Sequence, residues 1–284
     1  VKKGRLNDQF GTFSFLEQHL SILFYMFDFY MKKYLSIFLF LSVLTAQGQE
    51  QKPPFKSGEW LQYKMSYSGF IRAGTAILEL EEKEFQGKKV FHTKGTGWTS
   101  GMIKWFFEVD DYYESYFDKE NIKPYVFKRK IYEGGYKKHT ITSFNHHLKK
   151  AYVQDFTLQR DTSVAFNKAQ DMLSSFYYLR SLDVSKIKPG DEIKLDMFFD
   201  EETFPFRLKF LGKQSLKTNV GKLETLVFRP YVLSGRVFKE QESVTIWISN
   251  DANKIPLKLK ADLRVGSLTA ELEDYRGLAN PFLK

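Results

Sequence analysis

Apolar and polar residues alternate with a period of two along most of the chain. Leu61, Tyr63, Met65 and Tyr67 share one face, with Gln62, Lys64 and Ser66 on the other. Ala76, Leu78 and Leu80 repeat the pattern. So do Ile193, Leu195, Met197 and Phe199, then Phe204, Phe206, Leu208 and Phe210. The longest run is Leu257, Leu259, Ala261, Leu263 and Val265, separated by Lys258, Lys260, Asp262 and Arg264. Successive side chains of an extended backbone point to opposite faces. Each run therefore predicts a strand with one buried and one wet face, as in antiparallel sheet. Turn residues separate the runs: Gly69, Gly87-Lys88, Gly134-Gly135, Asn145-His146, Pro189-Gly190, Gly212, Gly221 and Asn250-Asp251. The count is roughly a dozen strands, mostly joined as hairpins.

One stretch changes period. Ala169, Met172, Leu173, Phe176, Tyr177 and Arg180 fall on a single helical stripe, with Asn167 as cap and Gln170 as its reciprocal partner. A shorter helical turn is expected over 100–107. The fold class that follows is mainly β, an antiparallel meander forming a barrel-like or strongly curved sheet with one central helix packed on it. An isolated helix of this length is marginal in water, so its apolar stripe is expected to plug or lid the curved sheet. Asp171 in its first turn and Arg180 in its last suit the helix dipole.

The first residues read differently. Met31 opens a basic pair, Lys32-Lys33, then an apolar run over 34–44, then Thr45-Ala46-Gln47-Gly48. That is the layout of a secretory signal cut before Gln49. The run is short for a membrane span, and a longer anchor over Phe13–Phe40 would enclose Asp28, Lys32 and Lys33. The expected organisation is an upstream extension over 1–30, a signal peptide over 31–48 and a single β-rich domain over 49–284. The mature chain is expected in the periplasm or at the cell envelope, with no transmembrane span. A membrane-spanning β-barrel shares the alternation. However, the last strand, near 267–275, is followed by a polar tail ending in Lys284.

Composition narrows the chemistry. Among 284 residues there is no cysteine, which removes disulfides, thiolate metal sites and a cysteine nucleophile. The 43 Lys and Arg outnumber the 34 Asp and Glu, but the charges are interspersed and form no basic tail, so nucleic acid is not an expected partner. The densest acidic run is Glu108, Asp110, Asp111 and Glu114. In a strand Glu108 and Asp110 share a face with Tyr112, while Asp111 shares the other with Tyr113, so the four do not converge. Adjacent His146 and His147 would likewise point apart. Ser174 and Ser175 have no base nearby in sequence. No phosphate loop, serine elbow or metal-binding helix motif is present, and no catalytic residue, metal or cofactor is expected.

Aromatic residues make up 17% of the chain, with 28 Phe. They crowd at Trp98, Trp105, Phe106, Phe107, Tyr112, Tyr113, Tyr116 and Phe117, and again at Tyr177 and Tyr178. Such a surplus either fills the core of a wide sheet or lines a cavity for an apolar ligand. The candidate ligand-binding residues are Trp105, Phe106, Tyr112, Phe176, Tyr177 and Arg180. The expected function is non-enzymatic binding of a lipid, another apolar or amphipathic small molecule, or an envelope protein. The alternatives are a hydrolase using carboxylates near Asp110 and Asp111, or a filled scaffold without a ligand.

Several short motifs occur in a telling order. They are Phe55-x-x-Gly58-Glu59-x-Leu61-x-Tyr63 followed by Ala73-Gly74; Val109 and Asp110 leading to Glu114-Ser115; and Asp171 through Arg180. The series closes with Ile246 through Asp251, Ile255-Pro256 and Gly266. Together they resemble domain-of-unknown-function family 3108, exported proteins of Gram-negative bacteria, over nearly all of 53–276. The resemblance implies an exported, barrel-like β domain. It implies no activity, substrate or catalytic residue.

Overall fold

The computed structural model describes residues 53–232 and 244–282. The expected signal peptide and upstream extension lie outside the described residues. Among the described residues fourteen strands and two helices follow in chain order. The first part comprises β1 (Glu59–Tyr67), β2 (Ile71–Phe85), β3 (Lys88–Thr99), α1 (Gly101–Phe106), β4 (Val109–Asp118), β5 (Pro124–Glu133), β6 (Tyr136–Asn145), β7 (Lys150–Asp155) and β8 (Arg160–Ala165). After α2 (Met172–Ser181) come β9 (Glu192–Phe199), β10 (Glu202–Thr218), β11 (Gly221–Val232), β12 (Val244–Ser249), β13 (Pro256–Asp262) and β14 (Ser267–Arg276).

All strands form one antiparallel meander whose first and last strands, β1 and β14, also pair. The ladder is open in one place, between β8 and β9, on either side of α2 in the chain. Phe198 packs across that seam against Phe144 and Phe166, with ring centroids at 5.5 and 6.4 Å. Gln170 adds a single parallel bridge to Met197. Ion pairs Arg129–Asp200 at 2.8 Å and Arg160–Glu201 at 2.6 Å span it as well.

Register explains which side chains meet inside. Gly74, Met65, Ala270, Leu259, Ile246, Phe228 and Phe210 are successive partners across seven strands. A second row runs Leu61, Leu78, Gly95, Tyr113, Arg129 and Thr140. Partners in register share a face, so both rows lie on the inner surface. The core divides in two. Phe55, Phe91, Phe117 and Tyr177 pack edge-on or stacked at centroid distances of 4.9 to 5.8 Å. Leu208, Phe210, Leu226 and Phe228 form a smaller apolar cluster on β10 and β11.

Two expectations are corrected. The central helix does not begin at Asn167: Lys168 has a left-handed φ of 52°, and Gln170 is bridged to β9, so the cap is Asp171, whose carbonyl accepts the Ser175 N–H at 2.9 Å. The β13 run does not continue to Val265. Leu263 donates no ladder bond but closes a turn through its N–H to Gly266 O at 3.1 Å, and Leu263 and Val265 are exposed.

Candidate functional site

Buried polar contacts seat α2 inside the curved sheet. Asp171 caps it: its Oδ1 accepts the N–H groups of Leu173 and Ser174, each at 2.8 Å, while Ser174 Oγ accepts the Asp171 N–H at 2.9 Å. The other carboxylate oxygen accepts Ser115 Oγ from β4 at 2.6 Å. Burial pushes the Asp171 carboxyl up to about 6, against the pull of the three hydrogen bonds it accepts from Ser115, Leu173 and Ser174. At the far end Arg180 is 2% exposed and forms a two-pronged ion pair with Glu59 of β1, at 2.6 and 2.8 Å. Its Nε donates to Asn253 O and its Nη2 to Pro54 O, both at 3.0 Å. The rings of Phe55, Phe176 and Tyr177 surround the guanidinium at 5.3 to 5.5 Å.

Small residues make room for the helix and leave space beside it. A Cβ at Gly95 would sit 3.3 Å from a Leu173 methyl carbon, so the bare backbone there lets the helix pack closely. Gly97 and Ala76, paired in register, leave the neighbouring inner surface open. Two cavities result. One, of about 540 Å³, lies between α2 and strands β9 to β14, lined by Leu208, Leu226, Phe228, Ile246, Ile248 and Leu259. The other, of about 630 Å³, lies over β2 to β4 and reaches Trp98, Ile103 and Phe107. Tyr63, Met65, Ala76, Met172 and Phe176 line both.

Polar groups are sparse in these walls. The first cavity has Lys254, Lys258 and the edge of Arg180, and no acid among the described residues. Lys254 Nζ donates to Leu182 O, and burial lowers its affinity for the proton. The second cavity has one carboxylate, Asp111, hydrogen-bonded by Tyr113 Oη at 3.4 Å and the Tyr132 N–H at 3.3 Å. Burial, then the nearby Glu133, raises Asp111 to about 6. Among the described residues no group of three or more His, Asp or Glu is placed to hold a metal ion.

The six candidate residues disperse. Phe176 borders both cavities. Tyr177 is fully buried in the aromatic core, its Oη 3.3 Å from Thr93 Oγ1. Arg180 touches the first cavity, but each of its three nitrogens is already bonded. Tyr112 lies on the other face of β4 from Tyr113, hydrogen-bonded to Glu114. Trp105 and Phe106 stand outside both cavities, 86% and 84% exposed on α1. The aliphatic wall of β9 to β13 was missed as a site. Its residues read simply as core, and only the glycines inside β3 hinted at an open interior.

A comparison with curated proteins finds no match. Among solved structures, a beta-barrel-like protein of domain of unknown function DUF1849 from Brucella abortus aligns at TM-score 0.51 and 10% identity, over 78% of this chain and 98% of that one. A crystal structure described as a lipoprotein from Parabacteroides distasonis covers 80% of this chain and 100% of its own at TM-score 0.35 and 10% identity. A structure described as an exported protein with a YmcC-like fold from Bacteroides fragilis covers 78% and 97% at TM-score 0.30 and 10% identity. The first likeness is one of fold alone. The family model for "Protein of unknown function (DUF3108)" matches residues 62–273, which takes in nearly all the described sheet, and the chain belongs to that family.

Proposed function

We propose that this chain is an exported, envelope-associated protein that binds an apolar or amphipathic ligand of lipid type, and that it acts as a binder rather than an enzyme. One observation carries the reading: two cavities of about 540 and 630 Å³ share a wall and are lined almost wholly by aliphatic and aromatic side chains. Those volumes fall within the roughly 300–1,000 Å³ of small-molecule sites. Lys254 and Lys258 place cations in the first wall, suited to an acidic head group. Asp111 is the one carboxylate lining these walls; the neighbouring Glu133, which raises it, lines neither cavity. The signal layout at Met31 supports export.

Native mass spectrometry of the protein purified from cells that export it tests the reading. The expected spectrum shows an extra mass that organic extraction removes and added lipid restores. A bare chain that takes up no lipid would overturn it.

A further inference from the structure

The two ends of the sheet differ. The β1–β2, β3–β4, β5–β6, β7–β8 and β13–β14 connections lie at one end, because strand pairs meet there in register: Tyr67 with Ile71 and Leu268, Gly74 with Thr99, Val109 with Glu133, and Thr140 with Asp155. These connections carry Phe70, Met102, Trp105, Phe106 and Val265, which are 80, 66, 86, 84 and 77% exposed. Tyr136, Phe156, Leu158 and Leu263 are also exposed there. At the opposite end only Leu148 is a large exposed apolar residue among the described turns.

Cations accompany these apolar tips, although the turns of the opposite end are basic as well, with Lys88, Lys89, Lys119, Lys123, Lys149 and Lys150. The stretches 68–70, 101–107, 134–138, 156–160 and 263–266 contain no Asp or Glu. They contain Lys104 beside Trp105, Lys137 and Lys138 after Tyr136, Arg160 beyond Leu158, and Arg264 between Leu263 and Val265; just outside them Glu108 pairs with Lys104 at 3.2 Å and Asp155 with Lys138 at 2.8 Å. The acidic β9–β10 turn at this end is neutralised, Asp200 by Arg129 and Glu201 by Arg160. The helix α1 is apolar on both sides. Ile103 and Phe107 line the second cavity, while Met102, Trp105 and Phe106 face outward. Phe107 lies against Gly134 so closely that a Cβ there would sit 2.3 Å from its ring, which fixes α1 over the cavity end.

We propose that this end of the molecule docks on an anionic phospholipid bilayer, with Phe70, Met102, Trp105, Phe106 and Val265 entering the interface and Lys104, Lys137 and Arg264 meeting lipid phosphates. Apolar tips on separate turns, most with a cation beside them, suit a fluid apolar phase that needs no matching shape. A folded partner would instead need a flat or grooved patch of continuous contact. Docking there sets α1, the wall of the second cavity, against the lipid. It extends the ligand-binding reading and is tested apart from it.

The absence of cysteine allows a site-specific test on the full chain. Phe106→Cys, Phe70→Cys and Leu148→Cys are each labelled with an environment-sensitive fluorophore and mixed with vesicles of phosphatidylcholine alone or with equal parts of phosphatidylglycerol. The expected result is a blue shift and several-fold weaker aqueous quenching at 106 and 70 with anionic vesicles, less with neutral ones, and no change at 148. Unchanged quenching at 106 and 70 would overturn the proposal, as would equal protection at 148. A label at 106 already shielded before vesicles are added would overturn it too, since that places a second copy or another part of the chain on this surface. Apolar-probe uptake in vesicle-free solution is measured on the same three proteins. Its loss with insertion intact would sink the cavity reading and leave the docking surface standing.

Discussion

At the scale of single residues, the molecule relies on charges that have left water. Glu59 and Arg180 are both buried and bonded to each other, so removing one strands the other. Glu59→Ala is expected to cost about 3–5 kcal/mol in denaturant unfolding, and Glu59→Met with Arg180→Met clearly less. A double variant as damaged as the single one would mean the pair itself stabilises the fold. Asp171 gives a pH signature. Its folded value of about 6 exceeds the ordinary 3.8, so the native state holds the proton more tightly. That contribution is fully present below the ordinary value and is lost as pH rises through about 6. Stability relative to Asp171→Asn should therefore increase as the pH falls from about 7 to about 5; the opposite slope would contradict the burial argument. Phe176 is only half-buried and borders both cavities. Phe176→Ala should then cost about 1–3 kcal/mol, below the 3–5 of a fully packed ring, and should change the uptake of an apolar probe.

At the scale of elements, strand faces were legible and their ends were not. A period of two places Leu61, Leu78 and Leu259 on inner faces, because one face of each strand must meet the core. It cannot mark where a run turns back, so Leu263 and Val265 read as strand while their backbone closes a hairpin. The helix was legible as a stripe, but its start was not. Asn167 and Gln170 have capping chemistry, yet the left-handed φ at Lys168 and the bridge to β9 are decided by the seam, which sequence does not display. The partners of Asp171 and Arg180 were equally hidden. Ser115 and Glu59 lie 56 and 121 residues away in sequence, although each stands within a motif that carries the family resemblance. The close seat of α2 on β3 has its own test. Gly95→Val adds a branched side chain where one Cβ already lies 3.3 Å from Leu173. It should cost about 1–3 kcal/mol by overpacking, seen as a lower unfolding midpoint. Full tolerance would show that the helix is not held there.

At the scale of the whole molecule, aromatic rings fill one part of the interior and mainly aliphatic side chains line another. Phe55, Phe91, Phe117 and Tyr177 close one part of the interior, while the aliphatic wall of β9 to β13 stands back from α2. Composition cannot show that division, because it depends on where a curved sheet meets its helix. Space remains beside the ten residues of α2, both toward β9 to β14 and toward β2 to β4. Export makes a separate claim: N-terminal sequencing of the native protein should find a start near Gln49, and a start before Met31 would refute it. The most direct test of the central claim fills the shared wall of the cavities. Ala76 borders both, and its neighbour in register is Gly97, so the ring of Ala76→Phe can enter the open space. Titration with an apolar fluorescent probe should show saturable binding to the parent chain and its loss in Ala76→Phe, with the same β-type circular dichroism. Equal binding by the two proteins, or none by the parent, would contradict the account.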